Sequence, residues 1–152
     1  MKKIKHFLAA ALLVNAGLIY AESDKAKIDI EVHRSPTCSC CGKWVEHLKR
    51  SNFNVKDIVS DDVQAIKDQY GITKELASCH TALVNGYAIE GHVPADDIKT
   101  LLKNKPNVVG LTVPGMPSGT PGMEMGGKKD AYQVISFDKN KQHKVFNSYK
   151  AE

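Results

Sequence analysis

A single α/β domain is what this 152-residue sequence predicts, and three observations predict it. Ile28-Asp29-Ile30-Glu31-Val32-His33 alternates apolar and polar residues at the period of a strand. After Gly42 the pattern turns helical, with Trp44, Val45 and Leu48 on one side. Asn85-Gly86 then separates two apolar runs, 81–84 and 87–90, which is the strongest short-range signal for a β-hairpin with a type I′ turn.

The elements follow in order. Lys2, Lys3 and Lys5 precede an almost wholly apolar stretch at residues 7–19, and Ala21 ends it before Glu22-Ser23-Asp24. This is the layout of a secretory signal peptide, expected to be cleaved after residue 21 and to leave residues 22–152 as the working domain. Thirteen residues fall short of the ~20 that a membrane-spanning helix needs. Losing three lysines lowers the net charge from +4 to about +1.

Residues 28–33 form the first strand, with Ile28, Ile30 and Val32 inward, and Ser35-Pro36-Thr37 breaks it. A helix occupies 42–50. Residues 54–59 form a second strand with Val55 and Ile58 or Val59 inside. Asp61-Asp62 can cap a helix that runs to Tyr70 with Val63, Ile66 and Tyr70 on one face, stopped by Gly71. The hairpin comes next, and Pro94 opens a helix over 95–103 with Ile98, Leu101 and Leu102 apolar. Residues 108–113 are apolar. Five glycines and three prolines exclude regular structure over 114–127. A last hairpin joins 132–137 to 144–146 through a turn at 138–141. A βαβ unit followed by ββα, with thiols where the first strand turns into the first helix, is the thioredoxin-like plan. Sites in open α/β sheets lie beyond the carboxyl ends of strands, where these thiols fall.

The chain has four cysteines, and three lie within four residues, Cys38-Ser39-Cys40-Cys41. An exported chain of this size can bury its own core, so so few cysteines point to chemistry rather than to a disulfide scaffold. Cys38 and Cys41 have C-x-x-C spacing, and at a helix start free N–H groups and the helix dipole favour thiolate. A Cys38–Cys41 or Cys38–Cys40 disulfide is easier to form than a vicinal one. A dithiol cycle has no need of Cys40, but Cu(I) does use extra thiolates, and adjacent thiolates can bridge several Cu(I) ions. Zinc is a third reading, although paired C-x2-C knuckles are its usual signature.

The Asn85-Gly86 turn sets a register: Val84 opposite Tyr87, through to Thr81 opposite Glu90. Continued, it places Cys79 opposite His92, with Cβ atoms ~5 Å apart, as a donor pair. His80 would then point to the other face of the strand. Met116, Met123 and Met125 sit in the Gly/Pro loop, and thioether sulfur is a soft donor, so Met116 and Met123 join the candidates. His33, His47 and His143 read as structural or solvated. No Lys/Arg stripe suggests nucleic acid, and no Ser-His-Asp set, phosphate loop or carboxylate pair stands out.

The run from Ser35 through Cys38-Ser39-Cys40-Cys41-Gly42 to Leu48 resembles the opening motif of the CopG-like copper-resistance proteins, a family formerly catalogued as a domain of unknown function. Ser78-Cys79-His80-Thr81-Ala82, Glu90-Gly91-His92-Val93-Pro94-Ala95, Val113-Pro114-Gly115-Met116-Pro117 and Thr120-Pro121-Gly122-Met123-Glu124 are similar to its later motifs. The resemblance spans essentially the whole chain after residue 21. It implies a periplasmic protein of a Gram-negative bacterium with a thioredoxin-like fold. It also implies copper, as Cu(I) in a centre that can be multinuclear, held by Cys38, Cys40, Cys41 and Cys79 with Met or His support. The expected role is copper resistance and homeostasis, with copper ions and other periplasmic copper-handling proteins as partners. The chain lacks the W-C-G-P-C of thioredoxin, and His80 stands before Thr81 where thioredoxins place a cis-proline. Both departures weigh against general disulfide exchange. A thiol-disulfide or copper oxidoreductase built on Cys38 and Cys41 is the alternative.

Overall fold

The computed structural model describes residues 26–124 and 126–152. The expected leader, residues 1–21, and Met125 lie outside them. The first strand, β1 (Ile28–Arg34), buries Ile30 and Val32 as its alternation requires. The first helix, α1, spans Ser39–Arg50 and begins three residues earlier than its apolar period suggests, inside the cysteine cluster. Its buried face is Cys41, Trp44, Val45 and Leu48, the i, i+3, i+4, i+7 stripe of an amphipathic helix. The second strand, β2 (Phe53–Val59), pairs parallel with β1, from Ile28 with Phe53 to Arg34 with Val59.

The second helix, α2, is shorter than expected, Gln64–Gln69. Asp62 still supports its start, because Asp62 Oδ1 accepts from the Ala65 N–H at 3.3 Å. The hairpin forms with β3 (His80–Val84) and β4 (Tyr87–Glu90) in the expected register, Val84 opposite Tyr87 to Thr81 opposite Glu90. Asn85 and Gly86 both take positive φ, +45° and +83°, as a type I′ turn demands. The third helix, α3, follows Pro94 and spans Ala95–Asn104, with Asp96 and Asp97 in its first turn complementing the helix dipole.

The remaining strands extend the same sheet. β5 (Gly110–Thr112) pairs parallel with β4, β6 (Tyr132–Phe137) antiparallel with β5, and β7 (His143–Tyr149) antiparallel with β6. The result is one mixed sheet of seven strands in the order β2-β1-β3-β4-β5-β6-β7. A side chain at Gly110 would put its Cβ 1.7 Å from Ala88 O, so only glycine lets β5 approach β4. One apolar cluster joins α1 and α3 to the sheet through Trp44, Leu48, Ile30, Ala82, Ile98 and Leu111. The alternate residues Ala88, Leu83 and Phe137 pack with Ile72 and Leu76 in a second cluster. Burying side chains such as Leu48 or Ile98 contributes about 1.5–3 kcal/mol each. Among the described residues no helix is long and apolar enough to cross a membrane.

Candidate metal centre

Cys38 is the N-cap of α1, with extended backbone (φ −85°, ψ +92°) and no side-chain capping bond. The positive end of the helix dipole therefore faces the cysteines, and no acidic residue occupies the first turn. Cys38 and Cys41 are joined in a disulfide. The neighbouring thiol is close, with Cys40 Sγ 3.5 Å from Cys38 Sγ. The three sulfurs lie within 4.8 Å of one another. Cys41 is fully buried, whereas Cys40 and Cys79 are half-buried free thiols.

Cys79 enters from the loop before β3, and its Sγ lies 3.5 Å from Met116 Sδ. Burial, then the neighbouring Cys40, pushes the Cys79 thiol up from its ordinary value. Cys38, Cys40, Lys43, Cys79, Met116 and Met123 share one cleft of about 340 Å3. Six of the seven sequence-predicted donors thus meet at the end of α1, with Cys41 beneath the cleft. The Gly/Pro loop is held there by backbone fit. Gly122 has φ +86°, and a Cβ on it would lie 2.8 Å from Trp44 N and 3.2 Å from Cys40 O. The loop therefore rests directly on the first turn of α1.

The expected pairing of Cys79 with His92 does not form. The β3–β4 ladder ends at Thr81 and Glu90, because Gly91 turns to φ +74°. His92 goes inward, fully buried, and its Nδ1 donates to Pro121 O at 2.7 Å. That bond ties the end of β4 to the methionine loop. Alternation does hold across the next pair: Cys79 reaches the cleft and His80 the interior. His80 Nδ1 lies 3.3 Å from Cys41 Sγ, and its ring sits between Trp44 (centroids 4.5 Å) and His92 (5.1 Å). Burial, aided by His92, lowers the His80 pKa to about 3, so the imidazole is neutral. Burial also lowers His92, against the opposing bond to Pro121 O. The Nε2 atoms of both rings are buried without a hydrogen-bond partner. His47 is structural as expected and accepts from the Ala95 N–H at 3.1 Å.

Sequence reasoning missed the ion pair of Lys67 and Glu90, 2.6 Å apart and almost wholly buried behind the Cys79 loop. A signal was present: Lys67 falls four residues after Val63, on the apolar face of its helix, and the hairpin register sets Glu90 against Thr81.

Comparison with known proteins decides the family. Two solved structures described as copper resistance protein CopG, forms 2 and 1, are 43% and 44% identical to the chain. They cover 81% and 82% of it and 98% of their own length, each with a TM-score of 0.77. The chain belongs to the CopG family of copper resistance proteins. A family described only as a protein of unknown function, DUF411, matches residues 76–123. No curated protein matches. Residues 76–123 run from the Cys79 loop through His92 and Met116 to Met123, so the matched segment carries the side of the cleft that faces the C-x-C-C run.

The donor chemistry fits soft-metal binding. Thiol and thioether sulfurs share the cleft, and no carboxylate is among its lining residues, a set suited to Cu(I). Cys38 and Cys41 can join it only as thiolates, after their disulfide is reduced.

Proposed function

We propose that this protein is a periplasmic copper-binding member of the CopG family, acting in copper resistance and homeostasis, and that it holds Cu(I) in its cysteine cluster. Residues 1–21 are the export signal and 22–152 the working domain, which follows a thioredoxin-like plan. The β2-β1-β3-β4 order, with α1 after β1 and α3 after the hairpin, supports that plan. The observation that carries the copper reading is the convergence of Cys38, Cys40 and Cys41 sulfurs within 4.8 Å at a helix N-terminus, facing Cys79 and Met116 in one cleft. More than four ligating sulfurs in one place favour a multinuclear thiolate centre with Met123 as further support. His92 supports the centre by anchoring the loop. Copper ions are the cargo, and other periplasmic copper-handling proteins are the partners. The test is anaerobic titration of the fully reduced protein with Cu(I). More than one equivalent should bind, and Cys40→Ser should lower the number. Uptake of a single zinc with no copper would overturn the reading.

The Cys38–Cys41 disulfide favours a second reading, a thiol-disulfide or copper oxidoreductase. An external dithiol would reduce the pair, giving up two electrons and two protons and becoming a disulfide itself. Turnover with such a dithiol and a disulfide substrate, lost in Cys38→Ser, would support this version. Absence of turnover with and without copper leaves a binding protein.

A further inference from the structure

We infer that Glu90 is the positioning residue for the fourth thiol, Cys79, with Lys67 as its counter-charge. The inference rests on the copper reading above and adds a residue outside the sulfur set. Glu90 ends β4 and is fully buried. Its Oε1 accepts from Lys67 Nζ at 2.6 Å, from the Ser78 N–H at 2.5 Å and from Ser78 Oγ at 2.7 Å. Its Oε2 accepts from Thr81 Oγ1 at 2.6 Å, and Thr81 Oγ1 accepts from Lys67 Nζ at 2.9 Å. One carboxylate therefore grips the chain on both sides of Cys79-His80, at Ser78 before and Thr81 after.

Two residues between two fixed points have little slack, since an extended residue spans only about 3.3–3.6 Å. Cys79 is committed to the cleft and His80 to the core. The same clamp is tightened by Gly91, where a Cβ would meet Ser78 Cβ at 3.1 Å. A buried ion pair is not needed for stability, because apolar residues of equal volume serve as well or better. An apolar pair could not make directed bonds to Ser78 and Thr81, and a thiolate shared with a metal has to be held to within about 0.5 Å.

The test is a cycle of Glu90→Gln, Cys79→Ser and the double variant, read by anaerobic competition for Cu(I) against a chromophoric chelator. Glu90→Gln should weaken Cu(I) binding by about 10–100-fold, as loss of a residue that orients a ligand does, and should cause no further loss in the Cys79→Ser background. Equal loss in both backgrounds would overturn the inference. A metal-free readout separates its failure from failure of the copper reading. In the oxidised protein Cys40 and Cys79 are the free thiols, and their alkylation by iodoacetamide is resolved by peptide mass. Glu90→Gln should change the Cys79 rate several-fold and leave Cys40 unchanged. Parallel change at both sites, or none at Cys79, also overturns it, whether or not copper binds. If Glu90→Gln fails to fold, Thr81→Val removes one of the bonds and should move Cys79 reactivity in the same direction, and no movement there counts against the inference.

Discussion

His80 Nδ1 lies 3.3 Å from Cys41 Sγ in a fully buried contact beneath the cysteine cluster. The imidazole is neutral there, so it serves the sulfur as a hydrogen-bonding neighbour and not as a counter-charge. His80→Phe keeps an aromatic ring against Trp44 and removes the orphaned Nε2. Its stability should stay within about 1 kcal/mol of the parent, because replacing polar atoms by apolar ones of the same shape is nearly neutral. His80→Ala should lose about 2–4 kcal/mol to the cavity. In both variants the reduced Cys41 loses its neighbour, so a larger fraction of Cys38–Cys41 should be oxidised at a given redox-buffer ratio. Chemical denaturation and thiol quantification check the two halves.

Gly122 links the methionine loop to the helix start. Alanine there meets Trp44 N at 2.8 Å and has to adopt φ +86°. Gly122→Ala should cost about 1–3 kcal/mol locally and lift Met123 away from the cysteines. The expected result is fewer or weaker Cu(I) equivalents with an unchanged far-ultraviolet spectrum. Full copper binding would show that the loop is not a structural part of the site.

Met116 takes φ +48°, a left-handed conformation that a methionine adopts at a cost, and it places its sulfur beside Cys79. Met116→Gly relieves that conformation and loses the donor. Stability should be equal to or above that of Met116→Ala, by about 1 kcal/mol, while both variants bind Cu(I) equally less well. Thermal unfolding with and without Cu(I) separates the two effects.

Tyr149 donates to Asp97 Oδ2 at 2.7 Å and stacks on Tyr132 at 4.6 Å. Burial, then Asp97, raises both phenols, Tyr132 to about 12. A raised pKa in the folded state means that the contribution is complete below the ordinary tyrosine value of about 10 and is lost as pH rises through the folded value. The unfolding midpoint should therefore fall between pH 10 and about 12. Tyr149→Phe should be less stable at pH 8, by about 1–2 kcal/mol for the lost bond to a carboxylate, and should show a flatter alkaline decline. Denaturation curves across this range check both signs.

Much of the fold was legible where a local pattern carried it. The alternation of β1, the α1 stripe and the Asn85-Gly86 register each rest on contacts a few residues apart. The joining of β5, β6 and β7 to one sheet was not legible, because a strand's own sequence does not name its edge partner. At the site, the sulfur set was legible from residue type and spacing. The Cys79–His92 pair does not follow from the hairpin register, because Gly91 at positive φ ends the ladder before it.

The sequence by itself therefore determined which atoms are available: four thiols, three loop methionines and a helix start to gather them. Residue chemistry and short-range periodicity suffice for that. Only the tertiary structure decided how they are arranged. It sent His80 rather than His92 to the cysteines, set Gly122 against α1, and placed Glu90 behind Cys79. Those relations join residues 11 to 82 positions apart, and close packing in three dimensions, not any local preference, selects them.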